Sequence, residues 1–302
     1  MRSIVLLALA APTLAGCLPG DTRPEPAAVD VTAEPSAAQA DGFDAVDGWH
    51  VAFDRVLAGV GHVQLEGGAC TSYANARYDR LLDLTHAGRQ KVSQVFALGS
   101  CDLRFRSAAP GELVLLGAGV TADDLALVRS EGGDAFVPSG PIVSWFVGHA
   151  SRQGVEVRFS WAFRQVFDIH DCLAPGDAGQ ALALELGGGA TVAAPLVLHG
   201  EKLFRDDPED DAAPLRFQAY ASADADGDGA VTLDELAKVY PPDAHELDAG
   251  LLDASPVPPA SDAGAGGGSG GHRETLAERL YQRLAPGTWR LGDSPWCRAD
   301  AH

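Results

Sequence analysis

Residues 155–163 read VEVRFSWAF, and this stretch decides the class of fold because its apolar side chains recur at every second position. Successive side chains of a β-strand point to opposite faces of the sheet, so this period gives the segment one apolar and one polar face. The apolar phase consists of Val155, Val157, Phe159, Trp161 and Phe163. The segment therefore predicts a strand with one face in a core and the other facing solvent.

The same alternation recurs elsewhere in the chain, between glycine-rich turns. The alternating apolar positions are Trp49, Val51 and Phe53; Val63 and Leu65; Leu103 and Phe105; and Leu182, Leu184 and Leu186. Half-buried strands joined by turns are typical of antiparallel sheets. We therefore predict a mainly β protein in which residues 48–205 form an antiparallel β-sandwich.

One short helix is expected to interrupt this sandwich. Thr121 followed three residues later by Asp124 has the pattern of a capping box at the start of a helix. The residues at 117–122, GAGVTA, also match the GxGxxA pattern of dinucleotide-binding turns. Because the cap begins the helix too late for its N-terminus to face a pyrophosphate, we interpret these glycines as a tight strand-to-helix turn.

Residues 224–235 read DADGDGAVTLDE and place an oxygen donor at nearly every position that a twelve-residue calcium loop requires. The pattern resembles the loop of the EF-hand family, and the resemblance covers roughly residues 215–240. It implies that Gly229 makes the sharp turn at loop position 6 and that Val231 anchors the loop on a core. It also implies a set of Ca²⁺ ligands: the side chains of Asp224, Asp226 and Asp228, the carbonyl of Ala230, Thr232 directly or through a water, and Glu235 through both carboxylate oxygens.

Apolar residues at helical spacing flank this loop on both sides. They are Leu215, Phe217, Tyr220 and Ala221 before it, and Leu233, Leu236, Ala237 and Val239 after it. We therefore predict a small helical EF-hand-like unit over residues 206–254, with one calcium ion as its cofactor. EF-hands usually work in pairs, whereas a single loop is visible here. A lone loop in an exported protein predicts a structural site with a Kd of about 10⁻⁴ M.

The N-terminus predicts export. Arg2 precedes the apolar run from Ile4 to Ala11, and Leu14-Ala15-Gly16-Cys17 resembles the lipobox of bacterial lipoprotein signal peptides. The resemblance implies that residues 1–16 are removed, that Cys17 carries a lipid, and that the outer membrane of a Gram-negative cell envelope is the destination. An ordinary secretory signal is the alternative. Residues 17–47 are rich in Pro, Ala, Asp, Glu and Thr, and we predict a disordered tether there.

The remaining cysteines predict disulfides. An even number of cysteines in an exported chain favours two bridges, although three pairings are possible and the sequence does not choose among them. The four candidates are Cys70, Cys101, Cys172 and Cys297. Metal-binding thiolates are disfavoured because none of these residues forms a closely spaced pair.

Two short clusters combine histidine with carboxylates. His170 and Asp171 follow the long alternating strand, and His199 and Glu201 follow an apolar run. If the two strand ends meet, imidazole and carboxylate ligands could together hold a transition metal. A second metal site, in a periplasmic or surface metal-binding protein, is therefore an alternative hypothesis. Its competitor is that both histidines are hydrogen-bonded surface residues.

The C-terminal part divides into a predicted flexible linker at 255–271 and a helix with a tail at 272–302. The linker contains GGSGG at 267–271, which matches the GxSxG pattern of hydrolase nucleophiles but lacks a strand before it and a packed helix after it. Within the helix, Leu276, Leu280 and Leu284 lie on one face with Tyr281 beside them. Since no catalytic motif occurs in a suitable context, we predict no enzymatic activity.

The charge of the chain limits its partners. The formal net charge is −20, which disfavours nucleic acid and anionic lipid surfaces because both repel a polyanion. Contact with a membrane is therefore expected only through the N-terminal lipid. Another alternative is a module that binds a polysaccharide or a protein through exposed aromatic rings, for which Trp145 and Trp289 are candidates.

Overall fold

The computed structural model describes residues 24–133, 136–176, 179–241 and 273–302. The predicted signal peptide (1–16), Cys17 and the predicted linker (255–271) lie outside these residues, as do the remaining parts of the predicted tether and calcium unit at 18–23 and 242–254. The fold is mainly β, as the alternating segments predict, since strands make up 45% of the chain and helices 15%.

The described chain contains fourteen strands, five α-helices and one 3₁₀-helix. The strands are β1 (Ala27–Pro35), β2 (Phe43–Asp44), β3 (His50–Ala74), β4 (Asp79–Asp83), β5 (Gln90–Ser107), β6 (Leu115–Leu116), β7 (Ser144–Arg152), β8 (Val155–Phe163), β9 (Phe167–His170), β10 (Leu184–Leu186), β11 (Thr191–Leu198), β12 (Ala230–Val231), β13 (Trp289–Leu291) and β14 (Arg298–Ala301). The helices are α1 (Ala37–Asp41), α2 (Ala122–Val128), α3 (Gln218–Ala221), α4 (Leu233–Leu236) and α5 (Leu276–Thr288), and the 3₁₀-helix spans Gly200–Phe204.

All of these strands belong to one hydrogen-bonded sheet, whose main path runs β12-β8-β7-β3-β5-β1-β11-β13. Most neighbours are antiparallel, but β1 and β11 are parallel over eight residue pairs, and β12 and β8 are also parallel. The sheet is therefore mixed, and the prediction of a purely antiparallel arrangement is wrong. Side-chain alternation has the same period in both kinds of pairing, so it could not distinguish them.

Two long strands carry the centre of the sheet. β3 pairs with β7 through its first half and with β5 through its second half. This change of partner requires local irregularity, and the pairing register of β3 and β5 shifts between Gly61 and Gln64. Gly59 is necessary beside this bend because a Cβ atom there would collide with the carbonyl oxygen of Ala108. The separate runs at 49–53 and 63–65 are thus parts of one strand.

The prediction of a disordered tether at 17–47 is wrong for its described part. β1 lies inside the sheet between β5 and β11, and its alternate side chains are fully buried: Ala27, Val29, Val31 and Ala33. The tether was predicted because the segment lacks large apolar residues. A central strand does not need them, since hydrogen bonds on both edges hold the backbone and the neighbouring elements supply the larger side chains.

The two longest helices agree with their sequence patterns. The predicted capping box of α2 is present, with reciprocal bonds between Thr121 and Asp124. α2 packs Val128 into a small cluster with Leu57 and Leu81. In α5 the predicted apolar face is buried, consisting of Leu276, Leu280, Tyr281 and Leu284. α5 therefore docks on the core, where it contacts the 3₁₀-helix and α4.

Two disulfides join the four predicted cysteines. Cys70 on β3 pairs with Cys101 on β5, and Cys172 pairs with Cys297, which is 125 residues away along the chain. The second bridge ties the segment after β9 to the segment before β14. Disulfides persist in oxidising compartments, so they indicate an exported protein. Among the described helices, none is both long and apolar enough to span a bilayer.

The position of β1 gives a direct test against a disordered segment. Replacing Val31 with Ala removes two buried methyl groups, and we expect the free energy of unfolding to fall by about 2 kcal/mol. Urea denaturation of the full chain measures this change. Thr32→Val, on the half-exposed face of the same strand, should change stability by less than about 0.5 kcal/mol. Equal stability of Val31→Ala and the parent chain would contradict the burial of β1.

Candidate calcium site

The backbone of the loop at 224–235 is fixed by its own carboxylates. Asp224 accepts hydrogen bonds from the N–H groups of Gly227 at 2.8 Å and Gly229 at 2.9 Å. Both glycines have positive φ, 75° and 76°, a conformation that side-chain-bearing residues rarely adopt. Asp226 accepts from the N–H of Asp228 at 3.2 Å. The first half of the loop is therefore a tight turn wrapped around acidic side chains.

The second half of the loop is fixed by Thr232 and Glu235. The two residues form a capping box at the start of α4, and Glu235 also accepts a hydrogen bond from the N–H of Ala225 at 3.1 Å. Burial acts to raise the pKa of Glu235, but the hydrogen bonds from Thr232 and Ala225 outweigh it, so the net pKa lies below its usual value. The carboxylate at loop position 12 is thus held ionised and joins both ends of the loop.

Three of the predicted ligands converge. Asp224, Asp226 and Glu235 each offer a carboxylate oxygen, and these oxygens lie within 4.8 Å of one another. Hard oxygen donors in such a group suit Ca²⁺. Asp228 lies outside this group, and one of its oxygens accepts the N–H of Ala230 at 2.8 Å. The hydroxyl of Thr232 donates to Glu235 at 2.9 Å, so at position 9 a water is the more suitable ligand.

The middle of the loop is part of the sheet. Ala230 and Val231 form β12 and pair with Arg158 and Phe159 on β8, with the N–H of Arg158 donating to Gly229 at 2.9 Å. The N–H and C=O of one residue in a strand point to the same side. Because the N–H of Ala230 points to Asp228, its carbonyl also faces the loop, as a ligand at position 7 requires.

Val231 is the anchor of the loop. Its side chain is fully buried, and its carbonyl accepts a hydrogen bond at 3.0 Å from the indole N–H of Trp161. The Trp161 ring stacks on Phe159 with a centroid distance of 4.6 Å. The sequence shows that Val231 is apolar, but it gives no signal that Trp161 would be its hydrogen-bond partner. The backbone carbonyl and the side chain of Val231 thus attach the loop to the aromatic core.

The turn of helix before the loop is held by a residue that the sequence analysis missed. α3 has no side-chain cap of its own, and Asp47 accepts the N–H groups of Phe217 and Gln218, both at 2.8 Å. Asp47 falls in the segment that was predicted to be disordered. α3 and α4 contain four residues each, so the predicted pair of flanking helices is reduced to single turns.

The histidines of the alternative metal site have separate partners. His170 lies 3.0 Å from Asp171 and 3.1 Å from Asp300, whereas His199 lies 2.8 Å from Glu201. Within the described ranges, the group of three or more potential ligands that could share an ion consists of Asp224, Asp226 and Glu235, and it includes neither histidine. The structure therefore does not assemble His170, Asp171, His199 and Glu201 into one centre.

The two tryptophans of the surface-module alternative do not form an exposed platform. Trp289 is buried and contacts the ring of Phe105 at a centroid distance of 5.8 Å. Trp145 is half-buried, and its indole N–H donates to Ser160 at 3.0 Å. Both rings are therefore occupied by contacts within the protein.

Comparison with protein-family models, with curated proteins and with solved structures gave no match for this chain.

Proposed function

We propose that this protein binds one Ca²⁺ ion in the loop at 224–235 and that the ion stabilises the fold. The single observation that carries this proposal is the convergence of oxygens from Asp224, Asp226 and Glu235, at loop positions 1, 3 and 12, within 4.8 Å. These side chains would hold the ion together with Asp228, the carbonyl of Ala230, and Thr232 through a water. The role is structural, and we propose no catalytic activity.

Electrostatic repulsion is the reason that an ion is needed. Two unit charges 4 Å apart repel by about 1 kcal/mol in water and by about 4 kcal/mol at an effective dielectric constant near 20. Among the described residues, no lysine or arginine forms an ion pair with the acidic side chains of the loop. A divalent cation would offset this repulsion, and its binding would therefore be coupled to the order of the loop.

The proposed setting is the cell envelope, with the protein facing either the periplasm or the cell surface. The two disulfides support an oxidising compartment. The N-terminal segment resembles lipoprotein signals. We therefore propose that residues 1–16 are removed and that a lipid on Cys17 anchors the protein in the outer membrane of a Gram-negative bacterium.

The lipid anchor is tested on protein isolated from the cell envelope. Mass spectrometry of its N-terminal peptide should identify Cys17 as the first residue, with a diacylglyceryl group on sulfur. A mature chain that begins elsewhere, or that begins at an unmodified Cys17, would contradict the anchor and would leave the calcium proposal untouched.

Calorimetric titration of the full chain with CaCl₂ tests the site. We expect one ion per chain with a Kd of about 10⁻⁴ M. Asp224→Asn and Glu235→Gln should each weaken binding by at least about tenfold, since each removes a charged ligand. The matched control is Asp234→Asn, which makes the same change of charge beside Glu235 on a side chain outside the converging group. Its affinity should stay within about twofold of the parent.

Urea denaturation of the full chain with and without Ca²⁺ distinguishes a structural ion from adventitious binding. An ion at a hundred times its Kd stabilises a protein by about 2.7 kcal/mol, so 10 mM Ca²⁺ should raise the free energy of unfolding by about that amount. Binding that survives in both ligand variants would refute the assigned site. Binding without added stability would refute the structural role.

A further inference from the structure

A cleft lies beside the 3₁₀-helix and is lined by Lys202 of that helix. β1 and β11 are the long parallel pair of the sheet, and both end at this cleft. The first residues of α1, the 3₁₀-helix and the turn after β13 complete its walls, around a volume of about 430 Å³. Pockets outside the carboxyl ends of parallel strands are frequent sites for ligands.

The cleft contains an unusual concentration of buried charge. Five charged side chains are buried among the described residues, and three of them are Glu201, Lys202 and Arg290. Lys202 and Arg290 line the cleft, although they are only 2% and 1% exposed. Burial of charges is costly unless each is paired. The buried ammonium of Lys202 therefore requires an anionic partner.

The carboxylate of Glu201 already has two partners within the protein. It accepts the hydroxyl of Ser36 at 2.6 Å and lies 2.8 Å from Nδ1 of His199. Burial acts to raise its pKa, but the hydrogen bond and charge of His199 and the bond from Ser36 outweigh it, and the net pKa lies below the usual value. The carboxylate of Glu201 therefore contacts Ser36 and His199, and a different carboxylate forms the ion pair with Lys202.

The anion on Lys202 belongs to a surface segment, residues 206–211, which read DDPEDD. Asp211 forms an ion pair with the Lys202 ammonium, yet its own side chain is 67% exposed. Two further buried cations contact the backbone of this acidic segment: Arg283 donates to the carbonyl of Asp206 at 3.0 Å, and Arg290 donates to that of Pro208 at 3.5 Å. The segment thus lies over the buried cations and reaches into the cleft through one carboxylate.

We propose that this cleft binds a small oxyanion, a carboxylate or a phosphate, which replaces Asp211 on Lys202. Asp211 has the negative charge and the oxygen atoms of such a ligand, and it is one of the exposed residues that line the cleft, together with Ala37 and Asp293. The acidic segment then acts as an internal competitor, because Asp211 neutralises Lys202 when the ligand is absent. His199 lines the same cleft, and its Nε2 is the ring nitrogen that does not contact Glu201. The proposal is independent of calcium.

Calorimetric titration of the full chain with sodium acetate and, separately, with inorganic phosphate tests the proposal. Asp211→Asn should bind at least one of the two anions about tenfold more tightly than the parent, because a tethered competitor is removed. The matched control is Asp210→Asn, which changes the same charge one residue away and keeps the side-chain oxygen that accepts the N–H of Ala212. Its affinity should equal that of the parent.

Lys202→Met tests whether the buried ammonium holds the anion. An apolar side chain of similar length should be tolerated, because the carboxylate left behind, that of Asp211, is 67% exposed and can be solvated. Near-ultraviolet circular dichroism checks the fold. Combined with Asp211→Asn, it should abolish the binding gained. The proposal is wrong if neither anion binds Asp211→Asn at up to a 50-fold molar excess of anion over protein. It is also wrong if binding persists in the double variant. Repeating the acetate titration with Ca²⁺ present separates this outcome from any failure of the calcium site.

Discussion

The backbone pairing of β12 with β8 is the interaction on which the candidate site depends. A twelve-residue acidic loop cannot bury enough apolar surface to hold itself in place, and calcium loops of the EF-hand kind usually lean on a second loop. Here the edge of the sheet takes that position: the N–H of Arg158 binds Gly229, and the indole of Trp161 binds the carbonyl of Val231. The loop is thus built onto a strand of the sheet, and a single loop can keep the carboxylates of Asp224, Asp226 and Glu235 converged.

The two proposed sites share one structural element, the 3₁₀-helix at Gly200–Phe204. The ring of Phe204 packs against Phe159 and Trp161, which support the loop at 224–235. Lys202 lines the cleft with the buried cations. Two groups of carboxylates have different positions relative to the cations in this arrangement. One group of carboxylates converges where a cation would fit, and another lies over cations that the fold has buried.

The sequence predicted those features that depend on local patterns. Alternation identified β3, β5, β8 and β10, Thr121 and Asp124 identified the cap of α2, and the apolar face of α5 was found from its spacing. The topology of the sheet was not predictable in this way, because side-chain period does not reveal strand order or direction. β1 was missed because its small residues lack the bulk that usually marks a core, and Asp47 was missed with it. The cleft is composed of residues from four distant segments, so no local pattern could indicate it.

The most direct test of the sheet-anchored loop is amide hydrogen exchange at Arg158, measured by NMR with calcium and with a chelator. We predict strong protection of this amide in calcium and a decrease of at least about tenfold with the chelator, as expected for local unfolding of the loop alone. The amide of Val143 donates to the carbonyl of Phe163 at 2.8 Å and lies outside the loop. It should keep its protection in both conditions. An Arg158 amide that exchanges freely in calcium, or equally slowly in both conditions, would contradict the coupling between the ion and the edge of the sheet.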